Sequence, residues 1–228
     1  MGYFYLLDQA DVVVILDHVQ FEKRSWQCRN RIKSADGELT LTVPTLRKNE
    51  QPINEVEINN DEDWKKRHLK AIESSYGKSE FFAKYKEFFQ NLYQKDWKSL
   101  ANLNIEIIKF IANELGIKAE FIKSSELGLK EKKTGLLVEI CQKVKADKYL
   151  STPGSRVYMI NDENLFNENN IDLKYMEFNH PEYPQQYNDF IPYMSVIDAL
   201  FNIGPEQTLK LIQENGKNVE PEEVKIND

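Results

Sequence analysis

The feature that most constrains the fold is an apolar run, Val12 to Leu16, that ends at Asp17. The run is rich in β-branched residues and has no polar alternation, which is typical of a strand buried on both faces of a parallel sheet. From residue 119 to residue 178 the patterns then predict alternating strands and helices. Such alternation favours right-handed βαβ crossovers. The predicted fold class is therefore α/β, with three layers and a mainly parallel sheet flanked by helices.

The middle of the chain predicts a different organisation. Apolar side chains recur at helical spacing in three segments between residues 61 and 115. We therefore expect a helical insertion, about residues 61–116, within a single α/β domain over residues 1–215. Residues 216–228 are polar and acid-rich, which predicts a disordered tail.

Composition excludes several classes of protein. The 228 residues include 30 Lys and Arg against 37 Asp and Glu, a net charge of −7 that disfavours non-specific binding to nucleic acid or to an anionic membrane. No apolar run approaches the ~18–20 residues that cross a bilayer, and the first residues lack the pattern of a signal peptide. We therefore expect a cytoplasmic protein with no membrane insertion and no nucleic-acid partner.

The standard motifs of nucleotide, hydrolase and zinc sites are absent from the sequence. GxGxxG, GxxxxGK(S/T), GxSxG and HExxH do not occur, and the three histidines are far apart. The two cysteines, Cys28 and Cys141, form no CxxC pair and are interpreted as reduced thiols. No metal-ligating residue is predicted.

The most unusual segment runs from Asp17 to Lys33. It holds five basic and two acidic residues, a local balance of 5 − 2 = +3 in a protein of net charge −7. Arginine offers a planar fork that matches phosphate or carboxylate oxygens, and Trp26 and Phe21 offer rings that pack on a base or a sugar. The segment therefore predicts an anion site, with a solvated loop whose bases pair elsewhere as the alternative.

Two further segments carry candidate polar groups. Ser151 and Arg156 follow a predicted strand in a hydroxyl-rich turn, which predicts either a ligand-binding rim near Asp17 or an ordinary turn with local caps. His180 lies in a loop stiffened by two prolines, and its imidazole is a candidate general base. The alternative for His180 is a hydrogen-bonding role within the loop.

Segments that cover nearly the whole chain in order resemble the WbqC-like family. They are Gly2-Tyr3-Phe4, Ala10-Asp11-Val12, Leu16-Asp17-His18-Val19-Gln20-Phe21, Arg29-Asn30-Arg31-Ile32-Lys33, Leu41-Thr42-Val43-Pro44, Tyr149-Leu150-Ser151, His180-Pro181-Glu182-Tyr183-Pro184-Gln185 and Ser195-Val196-Ile197-Asp198-Ala199-Leu200-Phe201-Asn202-Ile203-Gly204. Members of this family resemble products of bacterial gene clusters for O-antigen lipopolysaccharide and other surface polysaccharides. The resemblance implies a transferase, with glycine or aminoacyl transfer to a nucleotide- or lipid-linked sugar as the suggested reaction.

Among the motif positions we predict two catalytic and ten substrate-binding residues. Asp17 and His180 are the catalytic candidates. The substrate-binding candidates are Gln20, Lys23, Arg24, Trp26, Arg29, Asn30, Arg31, Ser151, Tyr183 and Gln185. The expected substrate is a small sugar or nucleotide, so a nucleotide or nucleotide sugar is the expected ligand class.

Two alternatives to the transferase stay open, and one of them is not an enzyme. The run of predicted elements is analogous to the nucleotidyltransferase-like fold of pantothenate synthetase, which suggests an ATP-dependent enzyme that activates a carboxylate and needs Mg²⁺. The other alternative is a binding or assembly protein for other polysaccharide-biosynthesis enzymes.

The sequence also departs from the family pattern. The family usually has a short strand and a Gln-Pro-x-Tyr-x-Pro-Trp stretch before the Gly-Tyr-Phe that stands in this chain at residues 2–4, so we expect a strand and a ligand loop to be missing. His18 stands where the family commonly has an acid, which weakens any proposal of a metal held by paired carboxylates.

Overall fold

The computed structural model describes residues 1–22, 24–46, 50–187 and 189–224. Contacts between these residues group into two compact units. Unit 1 contains residue 1 and residues 17–116 and 180–211, and unit 2 contains residues 2–16, 117–179 and 212–224 of those described.

The described residues fold into helices and strands of varied length. The helices are α1 (Gly2–Asp8), α2 (Trp64–Tyr76), α3 (Phe82–Gln94), α4 (Leu100–Glu114), α5 (Lys133–Val144), α6 (Arg156–Met159), α7 (Asn164–Glu168) and α8 (Val196–Glu214). The strands are β1 (Val12–Ile15), β2 (Arg29–Ser34), β3 (Gly37–Thr42), β4 (Thr45–Leu46), β5 (Glu57–Ile58), β6 (Glu120–Lys123), β7 (Lys148–Ser151), β8 (Asp172–Phe178) and β9 (Gly216–Val219). The alternation predicted from residue 119 onward is present as β6, α5, β7, α7 and β8.

Unit 2 contains the parallel pairings. Strand β1 pairs in parallel with β6, and β7 pairs in parallel with β8, whose other edge takes β9 in antiparallel register. Its core is built around Met159, Phe166 and Tyr175, which are fully buried. Residues 216–219, where a tail was expected, therefore complete a sheet, and Val219 and Val224 pack into this core.

Unit 1 combines helices α2, α3 and α4 with short antiparallel sheets. Helix α4 begins where Ser99 accepts a hydrogen bond from the Asn102 N–H, as an N-cap does. An aromatic core forms where Tyr76 stacks on Phe201, with ring centroids 4.7 Å apart. Strands β2 and β3 form a hairpin, so the basic segment is partly a strand rather than a loop.

Helix α8 is broken at Gly204. The φ of Gly204 is 74°, in a region that side-chain-bearing residues rarely adopt, and a Cβ there would lie 2.5 Å from the Phe81 ring. The break separates two helical segments that the sequence predicted on either side of this glycine.

The mixed α/β class is confirmed, but a single three-layer, mainly parallel sheet is not. In the described part of the chain the strands form four small sheets, with orders β1-β6, β2-β3, β4-β5 and β7-β8-β9. Helix and strand periodicity is local, whereas the choice of neighbouring strands depends on residues far apart in sequence. The alternation therefore predicted the elements and the parallel pairs without predicting how the sheets divide.

Candidate functional site

The β2–β3 hairpin of unit 1 borders a cleft of about 330 Å³. Two arginines, Arg24 and Arg29, lie in its wall. The remaining lining residues are Phe21, Cys28, Thr42, Val43, Pro44 and Thr45. The cleft therefore combines an apolar surface with two positive charges, as a site for an anion attached to a ring requires.

The two cleft arginines differ from the other described arginines in their partners. Ion pairs of arginine in the described residues join Arg31 to Glu38, Arg67 to Glu62 and Arg156 to Glu163, and neither Arg24 nor Arg29 makes one there. A guanidinium without a carboxylate keeps its donors available for a phosphate or carboxylate ligand.

Trp26 lies beside these charges and is 61% exposed. The guanidinium carbon of Arg31 lies 5.0 Å from the Trp26 ring centroid, and that of Arg29 lies 5.8 Å from it. Arg29 and Arg31 are two residues apart on β2, and alternate residues of a strand share a face. The guanidinium groups of Arg29 and Arg31 therefore lie against the exposed Trp26 ring in a cation–π arrangement.

Arg31 also ties the hairpin to a distant loop of unit 1. Its guanidinium donates to Glu38 at 2.9 Å and to the Tyr193 carbonyl at 3.1 Å. Its own carbonyl accepts from the Ser195 N–H at 2.8 Å. These bonds hold Arg31 against the loop. Arg24 and Arg29, by contrast, line the cleft and make no ion pair with the described residues.

His180 binds the backbone N–H of Tyr193, whose carbonyl is bound by Arg31. Its Nδ1 donates to the Pro181 carbonyl at 3.0 Å, and its Nε2 accepts from the Tyr193 N–H at 3.2 Å. Burial lowers the pKa of His180, which favours this neutral ring. Both ring nitrogens are therefore occupied by backbone groups, and a base role requires that the Tyr193 N–H leave Nε2.

Near these residues, unit 1 contains a fully buried carboxylate, Asp198. Asp198 accepts from the Tyr76 hydroxyl at 2.7 Å, from the Tyr183 hydroxyl at 2.8 Å and from Gln185 Nε2 at 2.9 Å. Tyr76 in turn accepts from the Lys33 N–H at 3.1 Å. We call these five residues the Asp198 network.

Burial raises the pKa of Asp198. The donors from Tyr76, Tyr183 and Gln185 and the charge of Lys33 act in the opposite direction. The Lys33 ammonium donates to the Asp189 carbonyl, so this buried lysine is also satisfied within unit 1. The network is thus a set of buried polar groups whose partners lie within the fold.

The predicted substrate-binding residues are therefore divided between two environments. Arg24 and Arg29 line the cleft and Trp26 lies against Arg29, whereas Tyr183 and Gln185 have their polar atoms in the Asp198 network. A substrate-binding role for Tyr183 or Gln185 stays a prediction, and it requires that these buried bonds break.

The other candidates take varied positions. Asp17 is 3% exposed, and its carbonyl accepts from the Asn54 N–H. Gln20 and Asn30 are exposed, and the Asn30 side chain accepts from the Arg31 N–H. Lys23 lies outside the described residues.

Ser151 belongs to unit 2. Its hydroxyl lies 2.6 Å from the Ser155 hydroxyl, which donates to the Thr152 carbonyl. Arg156 pairs with Glu163 and donates to the Val224 carbonyl. The bonds of Ser151 and Ser155 are local caps of a turn, so the ligand-binding role predicted for Ser151 has no support from its contacts.

Two important residues were not among the predicted site residues. Tyr193 is exposed and lies between Arg31 and His180, and Asp198 organises the buried network. Asp198 carried only a weak signal in the sequence, because Ile197, Ala199 and Leu200 beside it indicate a buried helix without showing which way Asp198 points. Tyr193 carried none.

The described residues offer neither a metal cluster nor a membrane-spanning helix. Within ranges 1–22, 24–46, 50–187 and 189–224, no group of three His, Cys, Asp or Glu side chains is placed to hold a metal ion. In those ranges no helix has both the length and the apolar character needed to span a bilayer.

The chain is an α/β protein with an arginine-lined cleft. Residues 1–210 match the WbqC-like protein family, and the chain belongs to this family. It is similar to the uncharacterized protein Rv1507c of Mycobacterium tuberculosis, with 34% identity over 209 residues that make up 90% of this chain and 89% of that protein. No solved structure matches the chain significantly.

Proposed function

We propose that the cleft binds the phosphate of a nucleotide-linked or lipid-linked sugar, and that the protein is a transferase that modifies this sugar in surface-polysaccharide assembly. The observation that carries the proposal is the pair Arg24 and Arg29, which line the cleft without a carboxylate partner in the described residues. Membership of the WbqC-like family supports the pathway, with glycine or another aminoacyl group as the transferred group.

The charge distribution supports a specific anion rather than any anion. The net charge of −7 repels polyanions from most of the surface, whereas the cleft concentrates positive charge beside an apolar wall. A phosphate held between two guanidinium groups gains charge-assisted hydrogen bonds, and Trp26 offers an exposed ring for the part of the ligand beyond the phosphate.

In the proposed reaction Asp17 orients the acceptor hydroxyl or amine, and His180 takes its proton. The acceptor oxygen or nitrogen then bonds to the carbonyl carbon of an activated aminoacyl ester. The alkoxide of that ester leaves with the electrons of the broken acyl–oxygen bond and takes the proton from His180. The burial of Asp17 suits a group that must act in a water-poor site. The lowered pKa of His180 keeps its ring neutral near pH 7, as a base requires. Its Nε2 becomes available only when the Tyr193 N–H moves away, so the proposal includes a movement of this N–H at the proton-transfer step, after the substrate has bound.

Calorimetric titration with UDP-glucose and with glucose 1-phosphate tests the phosphate site. Replacing Arg29 with Ala should weaken binding of either ligand by about 1.5 kcal/mol, the usual loss for a charge-assisted hydrogen bond. The matched control is Arg67→Ala, because Arg67 is an exposed arginine of unit 1 that does not line the cleft.

Equal affinity of the Arg29→Ala variant and the unchanged protein would remove the proposal. A turnover assay separates the possible reactions: ATP-dependent release of pyrophosphate with glycine would identify the carboxylate-activating alternative instead. Binding of the sugar phosphate with transfer of an aminoacyl group would support the transferase.

A further inference from the structure

Tyr193 has a strained backbone conformation and a large aromatic ring exposed to solvent. It is a non-glycine residue with a φ of 61°, a conformation that costs of order 1 kcal/mol or more, and its ring is 65% exposed. Strained backbone persists only where surrounding contacts hold it in place.

Both backbone polar groups of Tyr193 are held by side chains. Its N–H donates to His180 Nε2 at 3.2 Å, and its carbonyl accepts from Arg31 at 3.1 Å. The His180 ring also lies 5.0 Å from the Tyr193 ring. Two family-motif residues therefore fix the backbone of an exposed tyrosine, which presents its ring in one orientation.

Arg31 connects this ring to the cleft. The same guanidinium that holds the Tyr193 carbonyl lies 5.0 Å from the Trp26 ring centroid, and Arg29 of the cleft lies against that ring too. Two exposed aromatic residues are thus positioned by one arginine beside the proposed phosphate site. Exposed rings next to a phosphate site are what a nucleobase stacks on.

We propose that Trp26 and Tyr193 contact the base of a nucleotide whose phosphate lies in the cleft, so that Tyr193 determines specificity for a nucleotide-linked ligand over a lipid-linked sugar phosphate. The proposal rests on the proposed function, because it takes the phosphate site as given. It deepens that function by assigning the ligand class and a second ring contact. His180 is here a positioning residue in the resting state, since it holds the Tyr193 N–H.

The experiment compares UMP with ribose 5-phosphate, which shares the 5′-phosphate and the ribose and lacks the base. Calorimetry on the full chain should show UMP binding about tenfold more tightly, the order expected for one base–aromatic contact. Tyr193→Gly removes the ring and tolerates the positive φ, and it should remove most of this preference while leaving ribose 5-phosphate affinity within about twofold. Tyr193→Phe, which keeps the ring, should keep the preference.

Tyr187 provides a matched control in unit 1. It too has a positive φ, 66°, and an exposed ring, but its hydroxyl donates to the Ser74 and Ser75 carbonyls. Tyr187→Gly should leave the preference for UMP over ribose 5-phosphate unchanged.

Each remaining outcome overturns the inference in a distinguishable way. If ribose 5-phosphate and UMP bind equally and Arg29→Ala weakens both, the phosphate site stands and the base contact is wrong. If UMP is preferred but Tyr193→Gly keeps the preference or weakens both ligands equally, Tyr193 is not the specificity residue. If neither ligand binds the unchanged protein, the proposed function fails together with the inference.

Discussion

The cleft and the Asp198 network lie in the same unit, but they differ in whether their polar side chains are hydrogen-bonded within the fold. At the cleft, Arg24 and Arg29 line open space beside an exposed indole. In the network, every carboxylate oxygen of Asp198 has a donor from Tyr76, Tyr183 or Gln185. Polar groups satisfied inside the fold stabilise it, whereas polar groups left to solvent are available to a ligand.

The comparison shows that residues of the family motif segments have two kinds of environment, one buried and one at the cleft surface. Asp198, Tyr183 and Gln185 belong to motif segments, and their side chains are hydrogen-bonded to one another inside unit 1. Arg29 belongs to a motif segment too, and its contacts leave it at the cleft surface. Substitutions in the network should therefore act on stability, and substitutions at the cleft should act on binding.

The largest effect is expected from Asp198→Ala. The change leaves three buried donors without an acceptor, and each such donor costs about 1–3 kcal/mol, so we expect a loss of about 4 kcal/mol in the free energy of unfolding. Urea denaturation followed by tryptophan fluorescence measures it, because Trp64 is fully buried in the same unit.

Asp198→Asn serves as the conservative companion to this substitution. It keeps the shape and one acceptor oxygen, so it should cost about half as much. A loss below about 1 kcal/mol for the alanine variant would mean that the network does not support unit 1.

Tyr76→Phe should have the second-largest effect. It removes the hydroxyl that accepts from the Lys33 N–H and donates to Asp198, so a buried N–H and a carboxylate oxygen both lose a partner. We expect a loss of about 2 kcal/mol by the same denaturation assay.

Tyr193→Phe is the control for Tyr76→Phe. Tyr193 is exposed, so loss of its hydroxyl should change stability by less than about 0.5 kcal/mol. If the two variants lose equal stability, the contrast between network and surface is wrong.

The sequence predicted those elements whose patterns involve only neighbouring residues. Helices α2, α3 and α4 and strands β1, β6, β7 and β8 were predicted because hydrophobic spacing is a property of neighbouring residues. Strand β9 was missed because Gly216–Val219 carries little apolar signal and depends on pairing with β8.

The same distinction applies to the site. Arg24, Trp26 and Arg29 were predicted because their charge and aromaticity cluster within six residues, against the acidic average of the chain. The bond from Tyr76 to Asp198 joins residues 122 positions apart, and the bond from Arg31 to Tyr193 joins residues 162 positions apart. Spacing along one chain does not encode such contacts, so the network and the role of Tyr193 needed the structure.

Arg29→Ala should have a much smaller effect on folding than on binding. Its contact with Trp26 is at an exposed site, where a cation–π interaction contributes about 0.5–1 kcal/mol. The free energy of unfolding should therefore fall by less than about 1 kcal/mol, although the affinity for a sugar phosphate falls about tenfold. A larger loss of stability would place Arg29 with the structural residues and remove the contrast.

The smallest expected effect is a difference in pH dependence between the two regions. Burial raises the pKa of Asp198 above its ordinary value of 3.8, so the folded state takes up a proton more readily than the unfolded state. The stability that Asp198 contributes is then fully present below 3.8 and is lost as the pH rises through the folded pKa.

The free energy of unfolding of the unchanged protein minus that of Asp198→Asn should therefore rise on acidification, measured by urea denaturation at several pH values. Arginine stays charged over this range, so the same difference for Arg29→Ala should be flat. A rise of the Asp198 difference with increasing pH would show that the donors from Tyr76, Tyr183 and Gln185, with the charge of Lys33, outweigh burial.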